Sequence, residues 1–368
     1  LMAALYWPFI YNEGELLLDS LLWVLIVGAF LMLPEEPTPS PSSPKGGREF
    51  LAGILLGLAA ITRPNVLMFV PVAAWWVFRG GTKSRALSLI LGVVLCVLPV
   101  TARNWVVGND FVLVASQAGV NFYIGNNEWS DGKTAVVPGT RATWWGGYED
   151  TIRIAEQAQG RPLAPSEVSR FWMGKGMEFL VQKPARAMRL YLLKLKYLLN
   201  PTEISNNQNV YFFRNYAGFL SWPVFLGFGV IGVLGLAGLA GSWREGTRLL
   251  LAAYIMVYAP PILIFFVPDK LRLPLVPARM VVAGGVLARA WEGWKAAGFA
   301  SLRRPLALVL VLGGGAFLIR INPPYADPAK PSDGHFTLAN ALARKGKPAE
   351  AYACYLRAVN LNEPYRSR

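Results

Sequence analysis

The sequence predicts an all-α membrane protein whose helices cross a lipid bilayer several times. Of the 368 residues, 54% are hydrophobic and 16% are charged, whereas soluble domains carry about 25% charged residues. The apolar residues also fall in runs close to the roughly 20 residues that a spanning helix needs. Backbone groups in lipid must be hydrogen-bonded within their own segment, so we expect these runs to be helices.

These runs predict about eight complete transmembrane helices, preceded by residues 1–7 as the end of an earlier helix. The chain starts with Leu1 inside apolar sequence, so we expect it to be a fragment of a longer protein. The runs cover 16–33, 50–62, 64–78, 86–102, 217–241, 249–267, 273–290 and 305–321.

Basic residues predict the orientation of the helices, because cytoplasmic connections are enriched in Lys and Arg. The connections on one side carry eleven basic residues and the short connections on the other side carry three. The eleven lie in 34–49, 79–85, 243–248 and 289–304. We therefore expect that side to be cytoplasmic. The same count favours a hairpin at Arg63–Pro64 over one kinked helix for 50–78. The placement of basic residues between the apolar runs also accounts for the net charge of +14, so nucleic acid is not predicted as a partner.

The membrane helices fall into two domains, 1–102 and 217–321, on either side of a long polar segment. Residues 103–216 are too polar for lipid and too long for a simple connection, so they predict a mixed loop subdomain on the outer face.

Two helices are predicted inside that subdomain. One begins at Pro165 and continues to about Gln182, because Ser166 and Glu167 suit a first turn. After Pro184, PARAMRLYLLKLKYLL mixes Leu and Tyr with Arg and Lys, which is typical of an interfacial amphipathic helix.

The last domain, 322–368, predicts part of a tetratricopeptide-like repeat, with its C-terminus also on the outer face. Ala339, Ala351 and Ala358 suit the close contact of two helices, and Gly346 suits the turn between them. A single repeat cannot bury its own face, so a protein partner is a candidate. The single histidine, His335, falls at a packing position of this repeat, and neither a metal nor a cofactor is predicted.

Basic and polar residues on the predicted outer face are the candidates for function. Charges at a membrane boundary are costly, and the planar fork of Arg suits phosphate. The basic candidates are Arg63, Lys270, Arg272 and the Arg103–Asn104 pair, with anchoring of helix ends as the alternative role. Amide and aromatic side chains suit sugar hydroxyls and ring faces, although they also suit simple turns. These candidates are Asn121, Tyr123, Asn126 and Asn127, followed by Glu203 and Asn207.

Several carboxylates on the same face are candidate general bases, and no spacing selects one. They are Glu13, Glu15, Asp19, Asp131, Glu149, Asp150 and Glu203. A nucleotide-binding loop, a zinc motif and a serine-nucleophile elbow are absent from the sequence.

Five segments taken in order resemble the bacterial family 39 glycosyltransferases, relatives of the dolichyl-phosphate-mannose protein mannosyltransferases in the GT-C superfamily. The segments are YWPFIYNEGELLLDS, AGILLGLAAITRPN, ARNWVVGNDFVLVASQAGVNFYIGNN, LKLKYLLNPTEISNN and FFVPDKLRLPLVP, and the resemblance covers about residues 1–320. It implies a GT-C-like fold and a glycosyltransferase that moves a sugar from a polyprenyl-phosphate donor to an acceptor at the outer face of a bacterial inner membrane. The long loop and the C-terminus would then be periplasmic.

The resemblance also implies roles for individual residues. Arg63 and Arg272 would stabilise the leaving lipid phosphate, while Asn121, Tyr123, Asn126 and Asn127 would border the sugar or the acceptor. The catalytic aspartate of the family lies in a first outer loop, which would precede Leu1. We therefore assign no catalytic residue and expect this chain to be inactive alone.

Two other functions remain open. The chain could be an O-antigen ligase or polymerase type of GT-C enzyme, which uses an undecaprenyl-diphosphate glycan. It could also be a non-catalytic membrane scaffold that recruits partners through its C-terminal repeat. A transporter is disfavoured, because the predicted spans hold almost no acidic residues.

Overall fold

Every regular element in the described part of the chain is a helix, so the predicted all-α class is confirmed. The described part of 103–216 consists of helices and loops without a strand. A computed structural model of the chain describes residues 1–14, 18–35, 46–80, 83–141, 143–204, 209–214, 216–222, 224, 226–241, 246–318 and 332–361.

Three described helical segments are long and apolar enough to cross a membrane: Lys83–Gly108, Gly246–Ile264 and Asp269–Leu318. Two shorter apolar helices cover Leu18–Met32 and Phe228–Leu239. Together they indicate a membrane protein.

The first group of helices is held together by two pairings. It comprises α1 (Met2–Leu5), α2 (Trp7–Gly14), α3 (Leu18–Met32), α4 (Gly47–Thr62), α5 (Val70–Gly80) and α6 (Lys83–Val106), with a 3-10 helix at Pro64–Phe69. Helices α3 and α4 are antiparallel. Arg48 at the start of α4 donates to the Leu31 carbonyl at 2.9 Å, and Arg63 after its end pairs with Asp19 at the start of α3.

Helices α4 and α6 run parallel and touch through glycine, as small residues allow in membrane helices. Gly53 lies against Leu89 and Gly92, and Gly57 lies against Val93 four residues farther along. Because both helices point the same way, the segment between them must run back. The chain therefore reverses at Arg63–Pro64, in agreement with the hairpin interpretation of 50–78. Pro64 also limits α4 to 16 residues, about 24 Å, which is shorter than the roughly 30 Å hydrocarbon core.

The second group repeats this arrangement. It comprises α12 (Phe228–Gly241), α13 (Gly246–Ile264), α14 (Asp269–Arg272), α15 (Val276–Ala297) and α16 (Arg303–Leu318). Helices α12 and α15 are parallel, because Gly235 lies against Arg279 and Gly238 against Val282. The intervening α13 is antiparallel to α15, and the Tyr254 hydroxyl donates to the Pro274 carbonyl at 3.1 Å.

The apolar run from residue 217 was predicted to be helical throughout, but its α-helix begins only at Phe228. Trp222 has an extended backbone, with φ −64° and ψ 146°. It precedes Pro223 in the sequence, and a residue before proline is disfavoured in the α region. The proline therefore delays the start of α12.

These pairings define two ends of the helix bundle. The loop end holds Asp19, Arg63 and the end of α13 at Ile264, because Tyr258 on α13 lies near both charged residues. The basic end lies opposite and holds Arg48 and Arg248.

The polar segment attaches at the loop end through buried contacts. It contains α7 (Ala118–Gly125), α8 (Trp144–Gln159), α9 (Pro165–Gln182), α10 (Pro184–Leu199) and α11 (Val210–Arg214). The predicted helix 165–182 is confirmed by α9, and the predicted helix after Pro184 is confirmed by α10. Helix α7 packs on α9, where the Gly119 amide donates to Ser169 Oγ at 2.9 Å.

A pair of helices, α17 (Ser332–Arg344) and α18 (Pro348–Leu361), follows at the C-terminal side. Gly346 has φ +71° in the turn between them, a conformation that favours glycine. The pair contacts the subdomain, since the rings of Phe212 and His335 are 4.9 Å apart.

Candidate functional site

Arg63 and Asp19 form an ion pair at the loop end. Helix α4 ends at Thr62, and the extended backbone of Arg63 (φ −142°, ψ 108°) lets its side chain reach the first turn of α3. Arg63 Nε donates to Asp19 Oδ1 at 3.2 Å, and Nη2 donates to the same oxygen. The carboxylate is buried, while the Arg63 side chain keeps 25% of its surface exposed.

This pairing fixes one edge of the Arg63 guanidinium and leaves the other edge available. Nη1 makes no hydrogen bond to the residues that the structure describes. An arginine presents five N–H donors in a rigid fork. A carboxylate on one edge therefore orients the remaining donors toward an incoming anion.

The buried Tyr258 hydroxyl lies within electrostatic range of this pair. Tyr258 is 1% exposed, and its hydroxyl has no hydrogen-bond partner among the described residues. The charges that act on it are those of Arg63 and Asp19. A buried polar group without a partner costs about 1–3 kcal/mol, so this hydroxyl is a donor that a bound anion would satisfy.

Arg272 is placed differently from Arg63, although the sequence suggested the same role for both. It is 1% exposed, and both of its Nη atoms are fully engaged inside the protein. Its acceptors are Glu203 Oε2 at 2.8 Å and the carbonyl oxygens of Tyr197 (3.1 Å), Asn200 (2.8 Å) and Thr202 (3.1 Å). Arg272 therefore ties the chain after α10 to the start of the last helices.

Both carboxylate oxygens of Glu203 also accept hydrogen bonds inside the protein. The Tyr6 hydroxyl donates to Glu203 Oε1 at 3.0 Å, and the Glu203 amide donates to the Tyr211 hydroxyl at 2.8 Å. A carboxylate engaged by Arg272 and Tyr6 is poorly placed to accept a proton from a substrate.

The other basic candidates do not converge on one point. Lys270 is buried beside Asp269, whose Oδ1 accepts from the Lys270 amide at 2.7 Å. Arg103 is exposed and contacts no acidic group in the described ranges. Asn104 Nδ2 donates to the Val112 carbonyl at 3.0 Å and so closes the turn after α6.

The amide cluster after residue 117 holds the subdomain to the membrane helices. Asn126 Nδ2 donates to the Ile264 carbonyl at 2.7 Å, and its Oδ1 accepts from Lys194 Nζ at 3.2 Å. Asn127 Nδ2 donates to the Tyr123 carbonyl at 2.8 Å. Both asparagines are buried, whereas Asn121 and Tyr123 keep partial exposure. Asn207 lies outside the described residues.

Sequence reasoning missed the burial of Lys194, because it grouped this lysine with the other basic residues of the amphipathic helix after Pro184. It is fully buried, with Nζ 4.6 Å from the centre of the Tyr191 ring. Burial lowers the pKa of Lys194 to about 7. The helical spacing of the sequence could have revealed this burial, because Lys194 shares one face of α10 with apolar residues. These are Ala187, Leu190 and Tyr197.

The remaining candidate carboxylates are occupied locally or exposed. Hydrogen bonds from Arg141 and Arg153 lower the pKa of Asp150, and Asp131 Oδ1 accepts from the Thr134 amide at 2.8 Å. Glu13 is exposed, and Glu15 is outside the described residues. Asp19 pairs with a partly exposed arginine at the ends of the membrane helices, whereas Glu149 and Asp150 pair with the exposed Arg141 in the subdomain.

In the described ranges, His, Cys, Asp and Glu side chains form no group able to hold a metal ion. Comparison with protein-family models, with curated proteins and with solved structures found no match to this chain.

Proposed function

We propose that this chain belongs to a membrane glycosyltransferase and binds the phosphate of a polyprenyl-phosphate-linked sugar at the loop end. The observation that carries the proposal is the Asp19–Arg63 pair, which leaves the free edge of a partly exposed guanidinium at a membrane boundary. The proposed GT-C-like fold and the transfer to an acceptor at the outer face come from the sequence resemblance.

The chemistry of the donor explains why an arginine suits this position. As the sugar leaves, negative charge grows on the lipid phosphate, and a fixed donor stabilises that charge best where water is scarce. Charge-assisted hydrogen bonds are about twice as strong as neutral ones. Arg63 would supply them through Nη1, and the unpartnered Tyr258 hydroxyl would supply another.

Asp19 is a positioning residue in this proposal rather than a general base. Its carboxylate holds Nε and Nη2 of Arg63 and fixes the direction of Nη1. Arg272 would act structurally, because its Nη atoms already have protein acceptors. The catalytic base is not assigned to a residue of this chain.

The arrangement of the two ends supports an inner-membrane orientation. Arg48 and Arg248 lie at the basic end, which would face the cytoplasm by the enrichment of positive charge there. The polar subdomain lies at the loop end, and the contact between Phe212 and His335 places the C-terminal helix pair with it. Both would then be periplasmic.

Binding of undecaprenyl phosphate to the chain in lipid nanodiscs tests the proposal. A charge-assisted hydrogen bond contributes about 1.5–3 kcal/mol, so Arg63→Gln should weaken binding roughly 10- to 150-fold. Arg79→Gln is a matched control, since Arg79 is exposed near the basic end of α5. Equal affinities for wild type and Arg63→Gln would refute the phosphate site. Strong preference for a diphosphate-linked glycan would instead support a ligase or polymerase type of enzyme.

One observation favours the scaffold alternative. Helix α18 exposes Tyr352, Leu356 and Val359, at 65%, 45% and 61% of their surface, on one face. If the chain is a scaffold, we expect Leu356→Glu to abolish the cellular function and Arg63→Gln to preserve it. If the chain is part of an enzyme, we expect Arg63→Gln to abolish that function and Leu356→Glu to preserve it.

A further inference from the structure

We propose that α10 lies along the membrane surface at the loop end and binds the headgroups of anionic phospholipids. The inference is independent of sugar transfer, because it rests on the placement, exposure and charge of α10.

Two attachments hold the C-terminal half of α10 at the level where the membrane helices end. Lys194 donates to Asn126, which in turn donates to the Ile264 carbonyl at the end of α13. The Tyr197 carbonyl accepts from Arg272 at the start of the last helical segment. Both partners are ends of helices able to cross the membrane. This half of α10 therefore lies across the loop end of the bundle.

The two faces of α10 differ in exposure. Ala187, Leu190, Lys194, Tyr197 and Leu198 are buried against the protein. The other face carries Met188, Leu192 and Leu195, exposed at 61%, 56% and 41%. Their spacing of four and three residues makes one apolar stripe. At the level of the span ends, this stripe faces the boundary between headgroups and acyl chains.

The charges beside the stripe indicate which lipids it meets. Arg186, Arg189 and Lys196 are exposed, and α10 contains no acidic residue. None of the three forms an ion pair with a residue that the structure describes. Basic side chains that flank an apolar stripe attract anionic lipid and extend their charged ends into the headgroup layer. Phospholipid fits both features together, because its headgroup meets the cations and its acyl chains meet the stripe.

Spin labels on the whole chain in nanodiscs test the depth of the stripe. Cys96 and Cys354 are first replaced by Ser, and a nitroxide is placed at Leu192→Cys or at Gln157→Cys. Gln157 is exposed on α8 and serves as the control position. The label at 192 should relax mainly with oxygen, which concentrates in lipid, and the label at 157 mainly with a water-soluble nickel chelate. Equal nickel accessibility at both positions would overturn the proposal.

A second measurement tests the charges. Amide hydrogen exchange of α10 is compared in phosphatidylcholine nanodiscs with and without phosphatidylglycerol. Each basic residue near an anionic surface is worth about fivefold in binding, so Arg189→Gln should reduce the protection gained from phosphatidylglycerol about fivefold. Arg170→Gln on α9 is the charge-matched control and should change nothing. An equal gain of protection in wild type and Arg189→Gln would remove the anionic headgroup from the proposal.

Discussion

The buried pair of Arg272 and Glu203 gives a quantitative test of the structure. Their side chains are 1% and 4% exposed. Replacing Arg272 with Met leaves the Glu203 carboxylate buried without its cation, and breaking such a pair costs about 3–5 kcal/mol. The substitution also removes three donated bonds to backbone carbonyls, each worth about 1 kcal/mol. We expect Arg272→Met to lower the free energy of unfolding by about 5 kcal/mol or more.

A double-mutant cycle separates the ion pair from the carbonyl bonds. Once Arg272 is gone, Glu203→Leu removes the unpaired carboxylate, so the double variant should be less destabilised than the sum of the single variants. The difference should be about 2–3 kcal/mol, as for residues in direct contact. Unfolding in mixed micelles by titration with sodium dodecyl sulfate measures all four forms. Additive effects, or a cost below about 1 kcal/mol for Arg272→Met, would refute the structural role of Arg272.

Three further predictions concern Lys194, Gly92 and Tyr258. The folded pKa of Lys194, about 7, lies below its unfolded value near 10.4, so the unfolded chain binds more protons between these pH values. Stability should therefore rise by up to about 5 kcal/mol over that window, and melting temperatures of Lys194→Met should lack this rise. A Cβ at Gly92 would approach the Phe50 carbonyl oxygen to 2.3 Å. Gly92→Ala should therefore lower the free energy of unfolding by about 1–3 kcal/mol in the same micelle titration. Gly313 has open space around it, so Gly313→Ala should cause no such loss. Tyr258→Phe should weaken undecaprenyl phosphate binding by roughly tenfold without loss of stability, because its hydroxyl has no hydrogen-bond partner among the described residues. Unchanged affinity would exclude this hydroxyl from the site.

The helical class and several helix limits could be read from local sequence. Pro165 and Pro184 mark the starts of α9 and α10, because proline suits the first position of a helix. The reversal at Arg63–Pro64 followed from the distribution of basic residues. The late start of α12 was not predicted, since hydrophobicity was high across Pro223 and only its backbone preference opposed a helix.

The pairing of charged residues could not be predicted, because it depends on which helices become neighbours. Asp19 and Arg63 lie 44 positions apart, and Glu203 and Arg272 lie 69 apart. Sequence reasoning grouped Arg63 with Arg272 by residue type and side of the membrane. Their contacts differ, because the Arg63 guanidinium keeps a free edge, whereas both Nη atoms of Arg272 are engaged by protein acceptors.

The asparagines after residue 117 illustrate the same limit. Their composition suited a sugar site, yet Asn126 bonds to Ile264 from a distant part of the chain. An amide serves a ligand or a backbone carbonyl equally well, and only tertiary packing decides between them.

We propose that Arg63, oriented by Asp19, binds the phosphate of a lipid-linked donor, and an experimental structure of the chain with undecaprenyl phosphate in nanodiscs would show this contact. We expect a phosphate oxygen about 3 Å from Arg63 Nη1, with Asp19 still on Nε and the Tyr258 hydroxyl turned to the same phosphate. A phosphate bound elsewhere, with Arg63 held only by Asp19, would refute this binding site.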